Sequence, residues 1–460
     1  MPKYDSRTPA HARRDRLERT PLSSHSHNSR LTAYLAEALL AGPWLADDLI
    51  LRAQQALGRR PRWLAPLVLR ILHSFDKSTR PTSAALAAFL HQDQAFQTAL
   101  AKKPLSRVYT PQQPPVMWPS AWPVPPVTTP GALASFLEIT PAQLDGFADL
   151  QGRAQRSLDG PMRHYRYAWR IKASGSLRLI EAPKPRLKAI QRRLLDEILA
   201  SIPPHNAAHA YRPGRSIRTF AEPHAGQKVV LKLDLGDFFP TINAARVVRI
   251  FMTAGYPEPV ARLIAGLCTN RAPHALWRDP ASPTRGPDLW RLRKLYSAPH
   301  LPQGAPTSPA LANLCAYRLD ARLHALAASA QAHYTRYADD LVFSGGPEFA
   351  RAVQRFSIHA GAVAIEEGFT VNDRKTRILR RGARQRVAGV VINQHPNLAR
   401  AEFDRLKATL HNCVEVGPRS QNHLAHSDFR AHLSGRVAHL AMLNPQRALK
   451  LQTLLNAIPW

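Results

Sequence analysis

Three carboxylates carry the chemistry this sequence is best equipped to do. Asp339 and Asp340 are adjacent within Tyr337-Ala338-Asp339-Asp340, and Asp234 closes the apolar run Val229-Val230-Leu231-Lys232-Leu233-Asp234. Neighbouring carboxylates repel one another, and a divalent cation neutralises them. Three that converge are the minimum set for two Mg²⁺ ions in phosphoryl transfer. Taken alone, the tetrapeptide equally suits an exposed hairpin tip with solvated charges. The flanking elements decide.

Those elements are readable from composition. Residues 334–337 and 341–343 predict two short strands, with Ala338-Asp339-Asp340 at or near the turn between them. Residues 229–235 have the β-branched and aliphatic density of a buried strand, one that finishes in Asp234. Between the two lies Leu301-Pro302-Gln303-Gly304-Ala305-Pro306, a Gly/Pro loop running into an Ala/Leu-rich helix.

The order of strand-Asp, Gln-Gly loop and Asp-Asp hairpin resembles the palm of reverse transcriptases. The resemblance implies an α+β fold, a right-hand polymerase of fingers, palm and thumb, here with an added N-terminal helical domain. It implies an RNA-directed DNA polymerase using two Mg²⁺ ions, with Mn²⁺ able to substitute. Asp234 and Asp339 would be direct ligands and Asp340 a supporting one, the three together forming the catalytic and metal set. Phe239, five residues after Asp234, stands where the family places an aromatic gate against ribonucleotides; a plain core role is the alternative. Gln303 and Gly304 would line the nucleotide pocket, and Lys172 and Arg178 would contact the triphosphate. Lys375 would protonate or neutralise the departing pyrophosphate, or else touch a phosphate backbone. Asp237 is expected to be structural.

Further stretches resemble the bacterial retron branch. His209-Ala210-Tyr211-Arg212-Pro213-Gly214-Arg215-Ser216 looks like its second motif. Phe220-Ala221-Glu222-Pro223-His224 lies where retron enzymes carry Asn-Ala-x-x-His, and Val387-Ala388-Gly389 where they carry Val-Thr-Gly. Phe220 and Ala388 depart from that pattern, which puts in doubt any contact the lost side chains would make. Lys188 and Arg192, by resemblance to the family's fingers, and Arg212, Arg215, His224, Val387 and Gly389, by resemblance to the retron branch, are candidate nucleic-acid contacts. For any single Arg of the basic hairpin and helix, a solvated charged face is the simpler alternative. The implied function is synthesis of branched DNA (msDNA) on a cognate noncoding RNA, from a guanosine 2′-hydroxyl, with dNTPs as substrates and phage defence as the setting. Two other readings stay open. One is a 3′-primed group II intron-like enzyme, and the other is an RNA–DNA scaffold that restrains a toxin effector protein.

Charge and composition bound the partners. Among 460 residues, 63 Lys and Arg face 32 acidic residues, a formal charge of +31 that favours nucleic acid. No apolar run reaches bilayer length, so no membrane partner is expected. Three scattered cysteines predict neither a disulfide framework nor a zinc site, which suits a reducing cytoplasm.

Along the chain the predicted order is a basic disordered arm (1–30), a helical module (31–110), a proline-rich linker (111–130) and fingers (131–228). Palm with primer grip (229–395) and a helical thumb (396–460) follow, with no RNase H, maturase or endonuclease domain beyond. A basic hairpin over 165–171 and 177–181 and a basic helix over 187–202 belong to the fingers. Thumb helices are expected to break near Gly417-Pro418 and Asn444-Pro445, where a helix cannot continue.

Overall fold

The structure, a computed structural model, describes residues 24–75, 81–102, 115–156, 163–171, 177–277 and 287–460. Lys172, the tip of the fingers hairpin and most of the basic arm lie outside the described residues. The chain divides into two compact units, Met1–Val116 and Met117–Trp460.

In the first unit the described residues form helices Ser24–Leu40, Ala46–Leu57, Leu64–Ser74, Ser83–Gln92 and Gln94–Lys102. Thr82 starts the fourth by accepting from the Ala85 amide, satisfying one of the donors a helix start leaves open. Arg52 is buried among these helices, and its guanidinium donates to the carbonyls of Leu39 (2.9 Å) and Pro43 (2.6 Å).

In the second unit, residues 117–129 carry neither helix nor strand, as their fixed proline φ angles require. Met117, Trp122, Val124 and the buried Val127 nevertheless pack on the main core, and the Trp118 amide donates to the Gly255 carbonyl at 2.8 Å. Two helices follow, Pro130–Phe136 and Pro141–Ala148, the second opened by a capping box between Thr140 and Gln143.

Among the described residues the second unit holds nine strands. A hairpin pairs β1 (Tyr165–Ile171) with β2 (Leu177–Pro183). The central sheet comprises β3 (Val229–Gly236), β4 (Ala332–Tyr337), β5 (Asp340–Gly345), β6 (Thr370–Val371) and β7 (Arg377–Arg380). Its order is β4-β5-β3-β6, with β7 beside the first half of β3, and every pairing is antiparallel. Strand side chains alternate between faces. Leu231, Leu233, Leu235, Leu341 and Phe343 accordingly enter the main helical core, while Val230 and Val342 meet Phe220, Val387 and Val390 on the other face. The last two belong to a small hairpin, β8 (Arg386–Val387) and β9 (Val390–Val391), which turns on Ala388 and Gly389, both at positive φ.

Helices Arg400–Val416, Phe429–Leu443 and Pro445–Asn456 close the chain around a core of their own that includes Leu410, Leu433 and Leu451. The first ends at Gly417 (φ 89°), and Asn444 caps the third through the Arg447 amide. Among the described residues no helix is long and apolar enough to cross a membrane.

Candidate active site

Asp234 lies near the end of β3 and is 7% exposed. In the ladder its Cα partner on β5 is Asp340, so two carboxylates face each other across the strand pair. Like charges directly opposite destabilise a sheet, so a feature beyond strand pairing must account for them. Asp339 occupies the turn just beyond the ladder, after Ala338 at φ 56°. The Leu235 amide donates to the Asp339 carbonyl at 2.9 Å and ties this turn to β3.

The turn is also held from behind. Arg336, fully buried on β4, donates to the Ala338 carbonyl (3.1 Å) and to Asn313 Oδ1 (3.0 Å). Its Nε and Nη2 make a bidentate pair with Asp320 at 2.8 and 2.7 Å, and Tyr334 donates to the same carboxylate.

Electrostatics separates the three carboxylates. Burial raises the Asp339 carboxyl above its ordinary range, and the charge of Asp234 adds to the effect. Burial raises Asp340 as well, with Lys232 opposing and Asp339 and Asp234 reinforcing. Asp234 already has protein partners: Lys375 Nζ stands 2.9 Å from Oδ2, and Asn372 Nδ2 donates to Oδ1 at 3.2 Å.

A cleft of about 630 Å³ opens in front of the turn. Of the residues singled out from sequence, it gathers Asp234, Asp339, Phe239, Gln303, Arg178 and Lys375. Asp340 does not line it, and among the described residues no group of three or more His, Cys, Asp or Glu is arranged to hold a metal ion. Gly304 lies beside the cleft, at φ 134°, where a Cβ would come within 3.0 Å of the Glu181 carbonyl. Phe239 is half-buried against the main core, its ring 6.3 Å from that of Tyr211.

Two candidate contacts need correction. His224 is fully buried, with Nδ1 2.7 Å from Ser344 Oγ and Nε2 2.8 Å from Thr335 Oγ1. Val387 is also fully buried, in the core beneath the sheet. Neither side chain is open to solvent as it stands; both pack the underside of the sheet. Lys188 and Arg192 are exposed on helix Pro185–Glu197, Arg215 is exposed, Arg212 is partly so, and Gly389 forms the β8–β9 turn; none of the five lines the cleft.

Tyr211, Arg291 and Asn372 line the cleft without having been predicted. Tyr211 is legible in part, since it belongs to the 209–216 stretch; the structure adds that its φ of 57° holds a bulky side chain in a strained region. Arg291 was not. It comes from helix Pro287–Ser297 and reaches Asp237 at 2.5 Å, a pairing across 54 residues that no local pattern marks.

His224 makes one prediction about pH. Thr335 donates to the Phe220 carbonyl and so accepts from His224 Nε2–H, which leaves Nδ1 to accept from Ser344. The ring is therefore neutral, and burial, with His333 behind it, pushes its pKa down to about 3. Between that value and the unfolded pKa of about 6.5, the unfolded chain binds the extra proton. Stability is thus fully present above about pH 6.5 and falls with acidification, by up to about 1.4 kcal/mol per pH unit. Urea unfolding from pH 7 to 5 should show His224→Asn with a flatter profile than the parent; parallel profiles would refute the assignment.

Sequence comparison supplies the class. Residues 171–403 match the family described as reverse transcriptase (RNA-dependent DNA polymerase), which is half of the chain. The chain belongs to the reverse transcriptase family, and its α+β architecture is that family's. Within it the similarity runs to bacterial retron enzymes. The Retron Mx65 reverse transcriptase of Myxococcus xanthus is 45% identical over 294 residues, 63% of this chain and 64% of that protein. The Retron Mx162 reverse transcriptase of the same organism is 36% identical over 332 residues, 69% and 64% of the two chains. The Retron Ec86 reverse transcriptase of Escherichia coli is 30% identical over 237 residues, 51% and 65%. The alignments thus span just under two thirds of each relative's length.

The family implies a polymerase dependent on a divalent metal, and the cleft suits one. Its ionisable lining offers carboxylate oxygens and no thiol or imidazole, the donor set of Mg²⁺ rather than of zinc. Asp339, raised by burial beside Asp234, is a carboxylate whose charge a cation would compensate.

Proposed function

We propose that this chain is an RNA-directed DNA polymerase of the retron type. It copies part of a cognate structured noncoding RNA, from a guanosine 2′-hydroxyl, into branched single-stranded DNA, stays bound to the product, and serves in antiphage defence. The observation that carries the reading is one cleft gathering Asp234, Asp339, Phe239, Gln303 and Arg178 in a chain similar to retron enzymes.

Asp234 and Asp339 would hold Mg²⁺, with Asp340 supporting from the neighbouring ladder position. When bound, the metal supplies positive charge that favours ionisation of the attacking hydroxyl and compensates the triphosphate. Arg178 presents a guanidinium fork to phosphate oxygens. Phe239 sets its ring beneath the sugar and leaves no room for a 2′-hydroxyl. Gln303 offers amide hydrogen bonds to the nucleotide. Lys375, held in the cleft by Asp234, donates a proton or charge to the departing pyrophosphate. The large positive charge gives affinity for any polyanion, so choice of template must come from the shape of a folded RNA.

The test is purification of the protein with its flanking genomic DNA expressed, followed by a debranching enzyme and a denaturing gel. Bound DNA should shift on debranching. Linear product would replace the retron reading with a 3′-primed reverse transcriptase, and absence of any RNA-templated synthesis would remove both.

Sugar selection gives a separate prediction. Phe239→Val should increase ribonucleotide incorporation relative to deoxynucleotide by about tenfold or more, since about 1.4 kcal/mol of lost steric exclusion suffices. If selectivity is unchanged while total activity falls, Phe239 is a core residue only.

A further inference from the structure

Behind the cleft lies a buried pair of charges that the proposed chemistry does not use. Glu181 on β2 is wholly buried, and His300 is 1% exposed. His300 Nε2 stands 2.8 Å from Glu181 Oε2, and Nδ1 stands 2.7 Å from the Ala298 carbonyl. A carbonyl can only accept, and so can an ionised carboxylate, so both ring nitrogens donate and the imidazole is a cation. Burial alone would lower the His300 pKa, but the charge and hydrogen bond of Glu181 outweigh it and raise it. Glu181 Oε1 accepts from Asn270 Nδ2 at 2.8 Å, and Asn270 Nδ2 also reaches the Tyr167 hydroxyl at 3.0 Å.

Each partner is fastened to a different segment. Glu181 belongs to the strand that carries Arg178 into the cleft. Its own amide donates to the Gln303 carbonyl at 2.9 Å, and its carbonyl is the atom that a Cβ on Gly304 would meet. His300 exchanges both backbone hydrogen bonds with Asn270 (2.9 and 3.0 Å), and the next residue, Leu301, donates to the Ile242 carbonyl. The pair therefore joins the fingers hairpin, the end of helix Glu258–Cys268 and the start of the Gln303 loop.

Burying two opposite charges adds little net stability compared with an apolar pair of the same volume. What such a pair does provide is a directional contact of fixed length. We propose that Glu181 and His300 are positioning residues: their contact sets the separation between Arg178 on β2 and Gln303 on its loop, and with it the affinity of the cleft for the incoming nucleotide. This rests on the cleft being the nucleotide site. Neither side chain touches the substrate; each acts through its backbone neighbours.

Steady-state extension of an RNA template on the full chain tests the proposal, with Asp339→Ala as the control for the underlying reading. Glu181→Gln and His300→Gln should each raise the KM for dNTP by about tenfold, with kcat within about twofold, because misplacing a binding group weakens binding before it alters chemistry. The double variant Glu181→Gln/His300→Gln leaves no unpaired charge and restores an amide contact. It should return KM to within about threefold of the parent, so that the two changes are not additive. Tyr167→Phe, which keeps both charges and removes only the Asn270 contact, should raise KM by about threefold. Loss of thermal stability with unchanged KM would make the pair merely structural and overturn the proposal. So would single variants that fail to fold combined with an unchanged KM in Tyr167→Phe. If the parent extends no primer, or Asp339→Ala matches it, the nucleotide-site reading fails instead, and the two failures are told apart.

Discussion

Asp339→Ala should reduce RNA-templated DNA synthesis by about 10³-fold or more, equivalent to about 4 kcal/mol of transition-state stabilisation. The carboxylate lines the cleft from a turn fixed by the Leu235 and Arg336 hydrogen bonds, both to backbone atoms. Removing the side chain therefore leaves the turn supported. It also removes a group whose charge is disfavoured by burial and by Asp234. The melting temperature should hold or rise while activity disappears, which distinguishes lost chemistry from lost structure. Asp234→Ala is a harsher test, because it also strands Lys375 and Asn372. Extension by Asp339→Ala within tenfold of the parent would sink the catalytic assignment.

The largest stability effect is expected away from the cleft surface, at Arg336. Its guanidinium is enclosed with Asp320, and four of its hydrogen bonds reach Asp320, Asn313 and the Ala338 carbonyl. Arg336→Ala leaves Asp320 as a buried carboxylate with only Tyr334 as a hydrogen-bond donor among these partners. Breaking one side of such a pair costs about 3–5 kcal/mol, a large part of the 5–15 kcal/mol that holds a typical domain folded. The urea midpoint should fall accordingly, and whatever folded protein remains should extend primers poorly, since the Ala338-Asp339 turn loses its rear support. A loss below about 1 kcal/mol would mean that water or a rearranged neighbour satisfies Asp320.

Much of the architecture was legible because its causes are local. Thr140 before Pro141, Thr82 before Ser83 and Asn444 before Pro445 each mark a helix start through contacts spanning three residues. The β-branched density of residues 229–235 and the short apolar runs on either side of Ala338-Asp339-Asp340 mark β3 and its partner hairpin for the same reason: strand composition and turn chemistry are written in consecutive residues. The aspartates were found because carboxylates at the end of apolar strands are costly without a function to hold them there.

Tertiary structure alone decided which groups meet. Asp234 opposite Asp340 is a matter of register between strands more than a hundred residues apart, and a slip of one residue would turn either side chain to the other face. His224 bonded to Ser344 across 120 positions is a packed core group, although its sequence motif makes it a candidate nucleic-acid contact. Glu181 and His300, 119 positions apart, carry no signal in either neighbourhood. A charge is interpreted by what surrounds it: the same histidine is neutral between two hydroxyls and cationic between two acceptors. Those surroundings exist only once the chain has closed on itself.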